Sequence, residues 1–148
     1  MHPGSIMRAG MDGSDLVTVV VGIGKPRYIT IDFATLRLFW VDTIADRIES
    51  SNLQGGSRRT VVQLSSGYLM GIAVVHDRIY WGDYERRTLQ SSTATGENIV
   101  TLHSETEYIY HLTVVPDSDL PPNRTNHCVG HNCEKVCVLT ATSFRCLP

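Results

Sequence analysis

A chain of 148 residues has room for one domain, or for one domain with a small appendage. Its composition is that of a globular protein, with 42% hydrophobic residues, 19% charged residues and a formal net charge of −2, which gives no reason to expect nucleic acid or an anionic membrane as a partner. No apolar run reaches the roughly 18 residues that a bilayer span requires, and the N-terminus lacks the charged and apolar segments of a signal peptide.

Short strands separated by turns are predicted from residue 6 to residue 115. The segments alternate with period two, and glycine and aspartate between them supply the positive φ angles of tight hairpins. An order of four strands occurs twice in full, preceded by the last two strands of a repeat and followed by the first strand of another. In chain order the predicted strands are 6–11 and 16–20, then 28–33, 36–40, 47–53 and 59–64, then 71–75, 78–81, 88–93 and 98–102, and finally 110–115.

Each full repeat carries an aromatic-Trp-x-Asp motif, and the two copies lie about 41 residues apart. A fixed period of that length with four strands per unit predicts an all-β propeller in which each repeat is one blade. We expect the tryptophans to pack one blade against the next, and the aspartates to accept hydrogen bonds from backbone N–H groups at a strand end rather than to act as catalytic carboxylates. The copies are Phe39-Trp40-Val41-Asp42 and Tyr80-Trp81-Gly82-Asp83.

All four cysteines lie after residue 127, at Cys128, Cys133, Cys137 and Cys146. Such clustering predicts a small module stabilised by disulfides and joined to a body that folds without them. The spacing fits disulfides better than a zinc site, and sequence alone leaves three pairings open. Asn123 begins an N-glycosylation sequon in a proline-rich linker. Cysteines and sequon together favour an extracellular setting, so the missing signal peptide suggests that the chain lacks its natural start.

Aromatic-Trp-x-Asp blades followed by a cysteine-rich module resemble the YWTD β-propeller and EGF-like pair of the LDL-receptor family. The resemblance implies that residues 1–116 are C-terminal blades of an incomplete propeller, 117–127 a linker and 128–148 an EGF-like module truncated after its fourth cysteine. It also implies disulfides between Cys128 and Cys137 and between Cys133 and Cys146. No acidic calcium-binding sequence precedes Cys128, so no metal site is expected.

The resemblance further implies a non-enzymatic, extracellular segment of an LDL-receptor-like endocytic or signalling receptor. Its complete propeller would bind protein ligands or assist cargo release, without a cofactor. The alternative is a structural docking module of a secreted matrix or adhesion protein. No nucleophile elbow or phosphate-binding loop is present in the sequence, which argues against an enzyme.

Histidine is the side chain that titrates near endosomal pH, so a histidine pH switch is one hypothesis for this chain. The resemblance implies that the positions at which some receptors of the family carry acid-sensitive histidines fall near Asp46 and Tyr68, and neither residue is a histidine. His76, His103 and His111 lie elsewhere, and we expect them to be solvated or locally hydrogen-bonded.

Two basic pairs, Arg58-Arg59 and Arg86-Arg87, lie at predicted turns or strand starts, where solvated charge is the expected role. The strands at 6–20 and 110–115 have no complete set of partners in the chain. Unpaired strand edges accept other chains, so we expect the isolated chain to aggregate or self-associate.

Overall fold

The computed structural model describes residues 3–65, 67–105 and 107–114, together with the backbone of two later strands. In the described residues there is no helix long and apolar enough to cross a membrane. The strands of the main body are β1 (Gly4–Arg8), β2 (Val17–Ile23), β3 (Pro26–Asp32), β4 (Arg37–Asp42), β5 (Arg47–Asn52), β6 (Arg59–Gln63), β7 (Leu69–Val75), β8 (Arg78–Asp83), β9 (Thr88–Thr93) and β10 (Val100–His103). The two later strands are β11 (Val136–Leu139) and β12 (Phe144–Leu147).

Consecutive strands pair antiparallel into two four-stranded sheets, β3-β4-β5-β6 (the first blade) and β7-β8-β9-β10 (the second blade). A separate sheet, β1-β2, corresponds to the last two strands of a blade. The repeated four-strand order predicted from the sequence is therefore confirmed. Both motif strands run two residues past their predicted ends, because Asp42 pairs with Pro26 and Asp83 pairs with Leu69.

The strand predicted at 110–115 is wrong for the residues that the structure describes. Residues 110–114 form no strand, because none of the ten strands in the main body hydrogen-bonds to them as a sheet partner. The segment is held by apolar contacts instead. Ile109 and Leu112 are 2% and 4% exposed and share a buried cluster with Ala73 and Leu89.

The core lies between successive sheets. Trp81 of the second blade shares a buried cluster with Val61 and Val62. Both valines lie on β6, the last strand of the first blade, which we call its outer strand, as we call the first strand of a blade its inner strand. Trp40 of the first blade shares another cluster with Val20 on β2. Each motif tryptophan is fully buried, and each therefore contributes the large apolar area of an indole to the contact between one sheet and the preceding one.

Close contact between sheets also requires glycine at one point of each blade. Gly55 has a φ of 86°, and a Cβ built there would lie 1.9 Å from the backbone oxygen of Val19. Gly96 has a φ of 92°, and its Cβ would lie 1.8 Å from the backbone oxygen of Val61. No side chain fits at either turn, so these glycines let each turn lie against the outer strand of the preceding sheet.

The later strands β11 and β12 form an antiparallel hairpin in which the Cα of Cys137 is opposite the Cα of Cys146. The side chains of all four cysteines and the sequon at Asn123 lie outside the described residues.

Candidate functional site

The motif aspartates connect strands through backbone hydrogen bonds. The Asp42 carboxylate is 1% exposed and accepts hydrogen bonds from the N–H groups of Gly24 and Lys25, both at 3.0 Å, and from those of Ile44 at 3.3 Å and Ala45 at 3.4 Å. Burial acts to raise the pKa of Asp42, but the four backbone N–H groups outweigh it, so its pKa lies below the usual value of 3.8.

Asp83 occupies the same position in the second blade. Its Oδ1 accepts hydrogen bonds from the N–H groups of Tyr68 at 3.3 Å, and of Glu85 and Arg86 at 3.1 Å. These bonds fix the entry into the inner strand β7 and the turn after β8. Each motif aspartate therefore organises the same end of its blade, the end of the β4–β5 turn in the first blade and of the β8–β9 turn in the second.

Phe39, Trp40 and Trp81 are fully buried and Tyr80 is half-buried, so none of the motif aromatics forms an exposed ligand surface. The Trp81 Nε1 donates a hydrogen bond to Gln90 Oε1 at 3.1 Å. Within the described part of the chain, Trp40 Nε1 has no hydrogen-bond partner.

The prediction that Arg58 is a solvated charge is wrong. Its guanidinium bonds both carboxylate oxygens of Glu49, at 3.0 and 2.7 Å, and donates to the backbone oxygen of Val21 at 2.7 Å. The same group lies 5.5 Å from the centre of the Trp40 ring. Because Glu49 is only 4% exposed, Arg58 neutralises a buried charge and at the same time links the first blade to β2.

Arg59 also makes contacts, although weaker ones. It donates to Ser50 Oγ at 3.4 Å and to the backbone oxygen of Ala94 at 3.5 Å, which places its side chain between the two blades.

Four tyrosines meet at the end of the second blade that Asp83 organises. We call the group Tyr68, Tyr84, Tyr108 and Tyr110 the tyrosine surface. Tyr84 is central: its ring stacks on Tyr108 with a centroid distance of 4.5 Å, lies 5.9 Å from Tyr110 and meets the edge of Tyr68 at 6.3 Å. Tyr108 is 45% exposed and Tyr110 51% exposed.

The tyrosine surface has an arginine beside it, and its phenols influence one another's ionisation. The guanidinium of Arg87 lies 5.6 Å from the centre of the Tyr108 ring, a cation–π distance. The electrostatic effect of Tyr110, followed by burial, a side-chain hydrogen bond to Tyr110 and the effect of Tyr108, raises the pKa of Tyr84 above its usual value of 10.0. The surface thus combines clustered phenol rings with an exposed cation.

The tyrosine surface was missed in the sequence because its members are dispersed between residues 68 and 110. One signal was present: Tyr68 directly precedes β7, and Tyr108 lies two residues before the segment 110–115 that the sequence predicts as the first strand of the next repeat. Superposing the repeats would have placed both at the same end of the fold.

The three histidines that the structure describes lie at separate places in the fold. His76 lies in the β7–β8 turn with a φ of 54°, His103 lies in β10, and His111 lines an open cavity beside the inner strands β3 and β7. Among the residues that the structure describes, no group of three or more His, Cys, Asp or Glu side chains could hold a metal ion.

Comparison with known proteins gives similarity over nearly the whole chain, although no family model matches it. Low-density lipoprotein receptor-related protein 5 of Mus musculus is 31% identical over 144 residues, which is 95% of this chain and 9% of the relative. The vitellogenin receptor of Solenopsis invicta is 32% identical over 135 residues, which is 88% of this chain and 7% of the relative. The chain therefore spans less than a tenth of the length of these two relatives.

A solved structure supports the fold independently. One chain of a crystal structure of a nidogen/laminin complex superposes with a TM-score of 0.72 and 24% identity, over 93% of this chain and 49% of that chain. At this level of identity the match establishes the β-propeller fold alone. The repeated motif, the paired blades and identities of about 30% to lipoprotein-receptor relatives over most of the chain together support the LDL-receptor family as the one that this chain resembles.

Proposed function

We propose that the chain is a non-catalytic, extracellular segment of an LDL-receptor-like endocytic or signalling receptor, and that it binds a protein ligand through the tyrosine surface. The observation that carries the proposal is the contact of Tyr84 with Tyr108 and Tyr110, two half-exposed rings beside the Arg87 cation. Tyrosine and arginine are enriched at the energetic centres of protein interfaces, because each combines a large contact area with polar groups.

The position of the surface supports the same role. It is built from the turn after β8, from the residue before β7 and from the segment around residues 108–110. Hydrogen bonds to Asp83 fix the first two of these parts. Binding residues are commonly placed on loops that a rigid scaffold holds. The surface is thus pre-formed, and little conformational entropy is lost when a partner docks.

The domain organisation that we propose has propeller blades over 1–116, a linker over 117–127 and an EGF-like module over 128–148. In this proposal Cys128 bonds Cys137, Cys133 bonds Cys146, and Asn123 carries a glycan. The β11–β12 hairpin is compatible with a module of this kind. Peptide mapping of the secreted protein under non-reducing conditions, before and after glycosidase treatment, tests each assignment.

The ligand-binding experiment compares variants across an array of secreted and cell-surface ectodomains. Tyr84→Ala and Tyr108→Ala should each weaken a binder by about 30-fold, the scale of a hot-spot residue. Phe33→Ala is the matched control, because Phe33 is an aromatic residue 79% exposed in the β3–β4 turn, at the opposite blade end. Binding that is unchanged in both tyrosine variants would overturn the assignment of this surface.

In the alternative function, a structural docking module of a secreted matrix or adhesion protein, the same surface would engage a matrix component. The array separates the two functions by the class of protein that depends on Tyr84 and Tyr108. Assistance in cargo release would appear as a loss of ligand affinity at endosomal pH.

The free strand edges favour self-association of the isolated chain as a separate property. Among the described strands β1 pairs with β2 alone, so one of its edges has no strand partner within that part of the chain, and such an edge is a common template for further pairing. Sedimentation velocity over a range of concentrations tests this, and a single monomeric species throughout would contradict it.

A further inference from the structure

The two motif copies differ at the residue between tryptophan and aspartate. The first blade has Val41 there, fully buried within the cluster that also contains Leu69. The second blade has Gly82, also buried. The backbone of β8 needs no glycine for its conformation, because the equivalent strand β4 carries valine at this position. The reason for glycine lies in what packs above it.

The space that a side chain at Gly82 would occupy is filled by Ile109. A Cβ built on Gly82 would lie 2.8 Å from Ile109 Cγ2, 3.0 Å from Ile109 Cβ and 2.9 Å from the backbone oxygen of Met70. Ile109 is 2% exposed, so its side chain is inserted into the sheet surface rather than lying across it. The absence of a side chain in the motif creates the recess that receives Ile109.

Ile109 lies between two members of the tyrosine surface in sequence. While Ile109 is buried, Tyr108 and Tyr110 are about half exposed on either side of it. A second contact holds the same segment, because the backbone nitrogen of Leu112 lies against Gly71. The depth at which Ile109 inserts therefore determines where the rings of Tyr108 and Tyr110 meet Tyr84.

We infer that Gly82 and Ile109 are positioning residues of the tyrosine surface, with Gly82 forming the recess that seats the 107–114 segment. The role in ligand binding rests on the proposed function, whereas the seating is independent of any ligand. A valine at position 82, as in the first blade, would lift the segment and separate Tyr108 from Tyr84.

The test uses oxidative coupling of the stacked tyrosines in the folded protein without ligand. A photo-activated ruthenium complex with persulfate removes one electron from each phenol, each phenol loses a proton, and the two phenoxyl radicals join through a carbon–carbon bond. Peptide mapping identifies the coupled pair. Tyr84 and Tyr108, whose centroids are 4.5 Å apart, should couple in the wild type and not in Tyr108→Phe.

Two variants disturb the contact between Ile109 and the recess at Gly82, one from each side of the contact. Ile109→Ala removes the inserted side chain without adding bulk to β8, and Gly82→Val fills the recess. Each should lower the yield of Tyr84–Tyr108 coupling by about tenfold. Adding or removing several methyl groups in a core contact costs enough free energy to reduce the population in which the segment is correctly placed by about that factor. Trp81 fluorescence reports whether the second blade stays folded.

The control is Val41→Ala, which removes buried apolar volume at the equivalent position of the first blade and should leave coupling unchanged. Wild-type coupling in Ile109→Ala would overturn the inference. So would a loss of coupling in Val41→Ala equal to that in Ile109→Ala, because general loosening of the fold would then explain both. If coupling behaves as expected but no ectodomain depends on Tyr84 or Tyr108, the proposed function fails and the positioning role stands.

Discussion

Removing the Asp42 carboxylate should destabilise the first blade more than any other single polar change in it. Asp42→Ala leaves the N–H groups of Gly24 and Lys25 without the acceptor that they meet at 3.0 Å, and it also removes the longer bonds within the following turn. A hydrogen bond to a charged group contributes about 1.5–3 kcal/mol, so the two short bonds alone correspond to about 3–6 kcal/mol. Asp42→Asn retains one acceptor oxygen and should cost about half as much.

The assay is urea-induced unfolding followed by the fluorescence of the two buried tryptophans. Asp77→Asn, at an exposed position in the β7–β8 turn, serves as the control and should change the unfolding free energy by less than about 0.5 kcal/mol. The reasoning is refuted if Asp42→Ala unfolds at the same urea concentration as this control.

The pH dependence of stability gives a second measurement on the same carboxylate. The folded-state pKa of Asp42 lies below the usual value of 3.8, so the native state holds the charged form more strongly than the unfolded state does. Its contribution is therefore present above that value and is lost as the pH falls through the folded-state pKa. Between pH 5 and pH 3, as an approximate window for carboxylates, the unfolding free energy of Asp42→Asn should decline less steeply than that of the wild type.

Three further outcomes follow from contacts between sheets and at the tyrosine surface. Gly55→Ala should cost about 3 kcal/mol or more in thermal unfolding, whereas Gly13→Ala should cost about 1 kcal/mol, because both have positive φ but only Gly55 approaches a backbone oxygen. Arg58→Met should cost about 3 kcal/mol by removing the two short bonds to the buried Glu49 carboxylate, which keeps only the longer ion pair with Arg47 at 3.5 Å, and a cost below that of an exposed arginine variant would contradict the linking role. Tyr110→Phe should lower the pKa of Tyr84 toward 10.0 in an alkaline absorbance titration, and an unchanged titration curve would contradict the coupling of the two phenols.

The strand order could be predicted from sequence because the information is local. Alternating apolar residues define each strand, and turn residues such as Gly55 and Gly96 separate them at a fixed period. The segment 110–115 has the same local pattern and yet residues 110–114 form no strand. A strand exists only where a partner accepts its hydrogen bonds, and alternation in one segment carries no information about the partner.

The interactions of Arg58 and of the tyrosines could not be predicted in the same way, because they depend on which blade surfaces face each other. Arg58 and Glu49 are nine residues apart, but the third contact of Arg58 is to Val21 on another sheet. An exposed turn arginine and an interblade arginine look identical in a single sequence. They differ only in whether a neighbouring sheet lies close enough to accept a hydrogen bond from the side chain.

The differences between the repeats are therefore more informative about function than their similarities. Where both blades need a buried tryptophan, they use different partners: Gln90 accepts the hydrogen bond of Trp81, whereas the equivalent Glu49 turns toward Arg58 and leaves the Trp40 nitrogen unbonded within the described residues. In the first blade, Glu49 binds Arg58, and Arg58 in turn contacts the preceding sheet. The second blade has Gln90 at this position, Gly82 in its motif and Tyr84 in the turn that follows. Shared positions thus maintain the blade, and two of the divergent ones, Gly82 and Tyr84, lie at the end of the second blade where an exposed aromatic surface forms.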